Sequence, residues 1–132
     1  MTVQSQPMIA VRDVEASSRW YQQLLGVEGG HGGPEYEMLL SDGALVLQLH
    51  HWEADEHPHL GDPKAAVGNG TLLWFATDDF DAAVTRARKI SAHVLEGPLF
   101  NPNAQQRELW VRDPDGYVVV LAGPRGDDGS SG

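Results

Sequence analysis

Two stretches of the chain carry the same pattern of apolar and polar positions. "MIAVRDVEASSRWYQQLLG" opens as a short alternating run, passes Asp13, and continues with apolar residues at helical spacing until Gly26. "LLWFATDDFDAAVTRARKI" repeats this pattern 66 residues later, with Asp79 in the place of Asp13. Each is followed by strand-like runs broken by turn signals: "YEMLL-SDG-ALVLQLH" in the first half and "RELWV-RDPDG-YVVVLAG" in the second. Asp42-Gly43 and Asp115-Gly116 mark hairpins between those runs. The pattern predicts an α+β fold of two βαβββ modules, an internal duplication forming a curved mixed sheet or half-barrel with a concave groove. Residues 1–124 read as one domain, with halves at about 6–50 and 70–122 and a polar, Pro- and Gly-punctuated linker at 51–69. Residues 125–132 lack apolar periodicity and read as a disordered tail. "GVEGGHGGPEYE" reads as a flexible turn with His31 exposed, and His93 begins the strand after the second helix.

Strand side chains alternate between faces, so parity separates a helix-packed face from an open one. Ile9 and Val11, Leu45, Leu47 and Leu49 are predicted to pack under the first helix. Leu73, Phe75, Leu109, Val111, Val119 and Leu121 are predicted to pack under the second. The other parity gathers Gln6, Met8, Ala10, Arg12, Ala44, Val46, Gln48 and His50 in the first half. In the second half it gathers Leu72, Trp74, Ala76, Glu108, Trp110, Arg112, Val118, Val120 and Ala122. That face is unusually apolar for one meeting water, and its few polar fixtures give it the composition of a small-molecule site. The expected ligand-binding residues are Trp74, Trp110, Gln48, His50, Met8, Arg12, Glu108, Arg112 and Val120. If the tryptophans only filled an interior, both would be fully buried with no cavity beside them.

Charge narrows the partners. Nine Lys and Arg against 19 Asp and Glu give a formal charge of −10, which opposes binding to nucleic acid and to anionic membranes. The same balance favours solubility, and it steers a cationic ligand inward. There is no cysteine, which excludes disulfides, thiolate metal sites and cysteine nucleophiles. "MTVQSQP" has neither a basic n-region nor an apolar h-region, and no apolar run approaches membrane-spanning length, so a soluble, cytoplasmic protein is expected. No Gly-x-Ser-x-Gly elbow and no phosphate-cradling glycine loop ahead of a helix is present, so no catalytic residue is assigned.

With "VRDVEASSRWYQQLLG" and "VRDPDGYVVVLAG" on a duplicated βαβββ pattern, the chain over roughly residues 6–124 resembles the vicinal oxygen chelate superfamily. This is the group of glyoxalases, bleomycin-resistance proteins and extradiol dioxygenases. The resemblance implies a groove whose enzymes hold a metal through one residue on each of four strands, usually His or Glu and occasionally Gln. Those positions fall on Gln6, Gln48, Leu72 and Val120 in this sequence. Two aliphatic residues and two neutral amides do not make a catalytic divalent site, which needs about three good protein ligands. The expectation is therefore no metal and no other cofactor. In character the chain is nearest to the antibiotic-binding, bleomycin-resistance-like members. These imply a homodimer that sequesters its ligand without changing it.

Four of the six histidines stand in "LQLHHWEADEHPHL" (47–60). His50 shares the parity of Gln48, His51 the opposite one, and His57 and His59 fall in the linker. A site built from His50 with His57, His59 or Glu56 is the metal option outside the family pattern; a solvated or ligand-touching loop is the preferred reading. Asp55, Glu56 and Glu108 are candidates to complement positive charge at a groove rim. The functional expectation is a metal-free protein that binds an aromatic natural product or antibiotic, with a positive charge on it as a further option. The alternative is a glyoxalase-, epimerase- or dioxygenase-like lyase or oxidoreductase. It would use a divergent metal site or metal-free acid/base chemistry, such as Glu108 with His50.

Overall fold

Asp13 and Asp79 start the two helices in the same way. Asp13 Oδ1 accepts from the Ala16 N–H at 2.9 Å, and Asp79 Oδ1 from the Ala82 N–H at 3.1 Å, each satisfying an otherwise orphaned donor of the first turn. In the computed structural model, which describes residues 2–52 and 57–125, these caps open α1 (Val14–Leu25) and α2 (Phe80–Lys89). Gly26 ends α1 at φ 69°, its N–H returning to the Gln22 carbonyl at 2.9 Å. Asp13→Ala is expected to cost about 1 kcal/mol of stability in urea unfolding. A loss below about 0.3 kcal/mol would show that tertiary packing alone holds the first turn.

The chain packs as two units, divided between Ala66 and Val67. In the first, strands β1 (Met8–Val11), β2 (Glu28–Gly29), β3 (Tyr36–Ser41) and β4 (Ala44–His51) form a sheet in the order β1-β4-β3-β2. β1 runs parallel to β4 and the other pairs are antiparallel. In the second, β5 (Leu73–Ala76), β6 (His93–Asn101), β7 (Gln106–Arg112) and β8 (Val118–Gly123) repeat the arrangement as β5-β8-β7-β6, again with only the first pair parallel. Both modules are thus βαβββ with an open, mixed four-stranded sheet, and the fold is α+β. His93 begins β6, as expected.

Each helix buries one stripe. Val14, Ser17, Ser18, Tyr21 and Leu24 recur at helical spacing and cover β3 and β4, where Leu39, Leu47 and Leu49 are fully buried with Val11 of β1. Phe80, Ala83, Val84 and Ala87 do the same against β8, above Leu109, Val111, Val119 and Leu121. Gly123 is what lets α2 close on β8: a Cβ there would lie 2.6 Å from that of Phe80. Among the described residues no helix is long and apolar enough to cross a membrane.

The "GVEGGHGGPEYE" stretch differs from the flexible turn expected. Glu28 and Gly29 form β2, and the buried Glu37 carboxylate ties down the glycine-rich loop between β2 and β3. Its Oε1 accepts from the N–H groups of Gly30 at 2.8 Å, Gly32 at 3.1 Å and Met38 at 3.0 Å. His31 is exposed, as expected. The tail at 126–132 and the linker residues Glu53, Ala54, Asp55 and Glu56 lie outside the described residues.

Candidate functional site

In the first module, register builds two cross-strand rows on the face away from α1. Met8, Gln48 and Met38 form one; Ala10, His50 and Tyr36 form the next. Met8 is partly exposed and Gln48 half-buried. The Tyr36 hydroxyl donates to Gln48 Oε1, while Gln48 Nε2 donates to the Gln6 carbonyl at 3.0 Å. Burial, and then the adjacent charge of Glu37, push the Tyr36 hydroxyl above the usual tyrosine range, so it keeps the proton it donates. Gln48 is therefore a strut between β3 and the start of β1, with both ends of its amide in use.

His50 is buried, its Nδ1 2.6 Å from the His51 carbonyl oxygen. A carbonyl only accepts, so that nitrogen carries the ring proton and the ring is oriented by its own backbone. The His57 ring meets it edge to face at 4.6 Å, and Tyr36 stands on another side at 6.1 Å. The structure thus brings together His50 and His57 of the histidine-rich stretch. His51 has the parity of the helix-packed face, yet it is exposed and lines a cavity of about 390 Å³ with Arg12, Glu15 and Glu35. Arg12 is placed with His51, a partnership that strand parity does not predict. His59 is exposed.

In the second module one row carries Trp74, Val120, Trp110 and Glu96 from strand to strand. The indoles lie nearly perpendicular, 84° between planes and 6.1 Å between centroids. Val120 beneath them is fully buried, whereas Trp74 is 45% exposed, so it is not core filler. Two residues from Trp110 on the same face, Glu108 is only 3% exposed. Trp110 Nε1 donates to its Oε1 at 3.0 Å and Asn101 Nδ2 to its Oε2 at 3.0 Å. Burial pushes the Glu108 carboxyl up, but side-chain hydrogen bonds from Trp110, Asn101 and Gln106 outweigh it and hold it below the usual glutamate value. Glu108 is accordingly an anion throughout the neutral range. Arg112 shares that face but donates to the Gly116 carbonyl at 2.8 Å, closing the "DPDG" hairpin rather than reaching the tryptophans. That hairpin is built by Asp113, whose Oδ1 accepts from the N–H groups of Asp115, Gly116 and Tyr117.

Sequence reasoning placed Trp74, Trp110, Glu108, Val120, Met8, Gln48 and His50 on these faces, and missed Tyr36, Asn101 and Gln106. All three are polar partners from a neighbouring strand or the strand's own start, recognisable only once register is known.

A family model, Glyoxalase/Bleomycin resistance protein/Dioxygenase superfamily, matches residues 4–121. The chain belongs to that superfamily. A comparison with curated proteins finds no match. Among solved structures, a glyoxalase/bleomycin resistance protein/dioxygenase family enzyme from Burkholderia phytofirmans PsJN is similar at 23% identity and a TM-score of 0.73, over 90% of this chain and 96% of that one. An integron cassette protein from the mobile metagenome of V. cholerae is similar at 19% and 0.71, over 93% and 97%. The fosfomycin resistance protein FosX from Mesorhizobium loti is similar at 18% and 0.68, over 93% and 92%. At these identities the likeness speaks for the fold alone.

The superfamily's four metal-ligand positions do not carry a donor set here. Leu72 and Val120 are aliphatic, the Gln48 amide is engaged at both ends, and Gln6 is exposed. Among the described residues no three His, Asp or Glu side chains converge as metal ligands would. Two aliphatic side chains and two neutral amides do not suit a divalent ion.

Proposed function

We propose that this superfamily member is a metal-free small-molecule-binding protein that captures an aromatic natural product or antibiotic, as a cytoplasmic homodimer. One observation carries the reading. Val120, the position that the resemblance gives as the superfamily's fourth metal ligand, has tryptophans as its cross-strand neighbours on both sides. Val120 itself is fully buried, and the accessible surface over it is the pair of indoles, Trp74 being half open to water. Such a surface holds a planar ring by stacking and desolvation. Trp74, Trp110 and Val120 are the residues assigned to the ring, with Glu108 fixing Trp110. Met8, Gln48 and His50, with Arg12 nearby, are assigned to a second, more polar ligand surface in the first module, and Arg112 to the surroundings of the tryptophans in the second. The name of the fosfomycin resistance protein FosX fits a role in antibiotic resistance.

The enzyme alternative draws support from one feature, the contact between His50 and His57 on the face that also carries Gln48. Elemental analysis separates the two readings. After incubation with Zn²⁺, Ni²⁺, Mn²⁺ and Fe²⁺, purified protein is expected to retain less than about a tenth of an equivalent of any of them. Titration with aromatic antibiotics, bleomycin included, is expected to quench tryptophan fluorescence. Close to one equivalent of metal, lost in His50→Ala, would sink the metal-free reading.

A further inference from the structure

The Trp74–Trp110 corner has features that a plain aromatic stacking site does not need. The planes are 84° apart with centroids 6.1 Å apart, so the indoles form two walls of a box rather than a slot for one ring. A compact group set in that corner lies within about 6 Å of both centroids, the range in which a cation is drawn to an aromatic face. Val120, between them in the row, is fully buried, so the accessible surface of the corner is the indoles themselves.

Behind the corner sits a charge. Trp110 gives its N–H to Glu108, an almost fully covered carboxylate. An indole that donates to an anion gains electron density, which deepens the negative potential over its face. On the other side of Trp110 the row continues to Glu96 on β6, a second acid. The cation on the neighbouring row, Arg112, has its guanidinium turned to the Gly116 carbonyl. Two acids, Glu108 and Glu96, against this one cation leave the local field net negative, which favours a positive group.

The hydrogen-bond inventory decides which kind. Three side chains, Trp110, Asn101 and Gln106, already donate to Glu108, leaving its oxygens little capacity to receive another donor. A primary ammonium set against the indole faces would give up part of its water shell and find little acceptor capacity left on Glu108. A quaternary ammonium has no N–H to satisfy, and its methyl groups suit the aromatic faces.

We propose that the Trp74–Trp110 corner recognises a quaternary ammonium group, with Glu108 acting through Trp110 as a positioning and polarising residue rather than as a direct partner. The inference rests on the small-molecule reading above and names the chemistry of the captured molecule.

The test compares three probes of nearly one shape by calorimetric titration: benzyltrimethylammonium, its neutral isostere neopentylbenzene, and benzylammonium. Benzyltrimethylammonium is expected to bind at least about tenfold more tightly than either of the others. In Glu108→Gln, which keeps an acceptor for the Trp110 N–H but removes the charge, the ratio of benzyltrimethylammonium to neopentylbenzene affinity is expected to shrink several-fold. Equal affinity for benzyltrimethylammonium and neopentylbenzene, or a preference for benzylammonium, overturns the inference and leaves the aromatic reading standing. So does binding of the antibiotic panel without binding of benzyltrimethylammonium. Failure of all three probes and of the whole panel overturns the small-molecule reading itself. Should Glu108→Gln fold poorly, Trp74→Leu, altered at a half-exposed position, is expected to lower the preference in the same way. A full preference kept in Trp74→Leu overturns the assignment to the corner.

Discussion

Glu37→Ala is expected to destabilise the protein by about 3 kcal/mol, read as a shift in the midpoint of guanidinium unfolding at unchanged slope. The side chain is covered, and one of its oxygens serves three backbone N–H groups, of Gly30, Gly32 and Met38. The other faces the Ser18 hydroxyl of α1 at 3.4 Å, and Gln22 in turn donates to Ser18 at 2.9 Å. Hydrogen bonds to an ionised acceptor are stronger than neutral ones, and alanine takes that acceptor from three backbone donors and the Ser18 hydroxyl at once. The loss would also free the loop that leads to Tyr36, and with it the hydroxyl that fixes Gln48. Glu37→Gln keeps one acceptor oxygen and is expected to lose about half as much. A loss below about 0.5 kcal/mol in Glu37→Ala would mean that β2 and α1 hold the loop without the carboxylate.

That carboxylate also marks where sequence reading stops. The helix starts at Asp13 and Asp79, the stop at Gly26 and both Asp-Gly hairpins rest on interactions within a few residues, so they are legible along the chain. The core was legible for a related reason: Ile9, Val11, Leu47 and Leu49, or Leu109 and Val111, alternate against a helix whose stripe has its own period. Glu37 gave no such signal. Two of its partners, Gly30 and Gly32, lie seven and five residues back in a glycine-rich loop that composition describes as loose, and only the fold shows them converging with Met38 on one oxygen. The same holds on the open faces. Parity placed Gln48 and Glu108 correctly, but an alternation rule says nothing about who stands opposite. Tyr36 reaches Gln48 because β3 pairs with β4 in one register, offset by a bulge at Leu39 and Leu40. Asn101 reaches Glu108 because β6 is shifted against β7, where Gly97 lies so close that a Cβ would stand 2.6 Å from the Glu108 carbonyl oxygen. Residues read as free polar fixtures for a ligand turn out to be committed within the protein. What remains for a ligand in the second module is chiefly aromatic surface and the field of a charge held behind it.

Trp74→Ala tests that conclusion directly. Binding of whichever aromatic antibiotic the panel identifies is expected to weaken by about 1–3 kcal/mol, roughly 5- to 150-fold in Kd, measured by calorimetry so that the missing fluorophore does not distort the readout. Stability is expected to fall by less than about 1 kcal/mol, because Trp74 is half exposed on β5, at the edge of its sheet. Trp110→Ala is the informative contrast. It removes the second wall and also a donor from Glu108, leaving a covered carboxylate less well satisfied, so it is expected to cost both affinity and stability. If Trp74→Ala unfolded the protein as readily as Trp110→Ala, the indole pair would be a packing device and the second module would have no aromatic site. If affinity instead fell while the unfolding midpoint held, the exposed half of Trp74 is surface that serves a ligand and not the core.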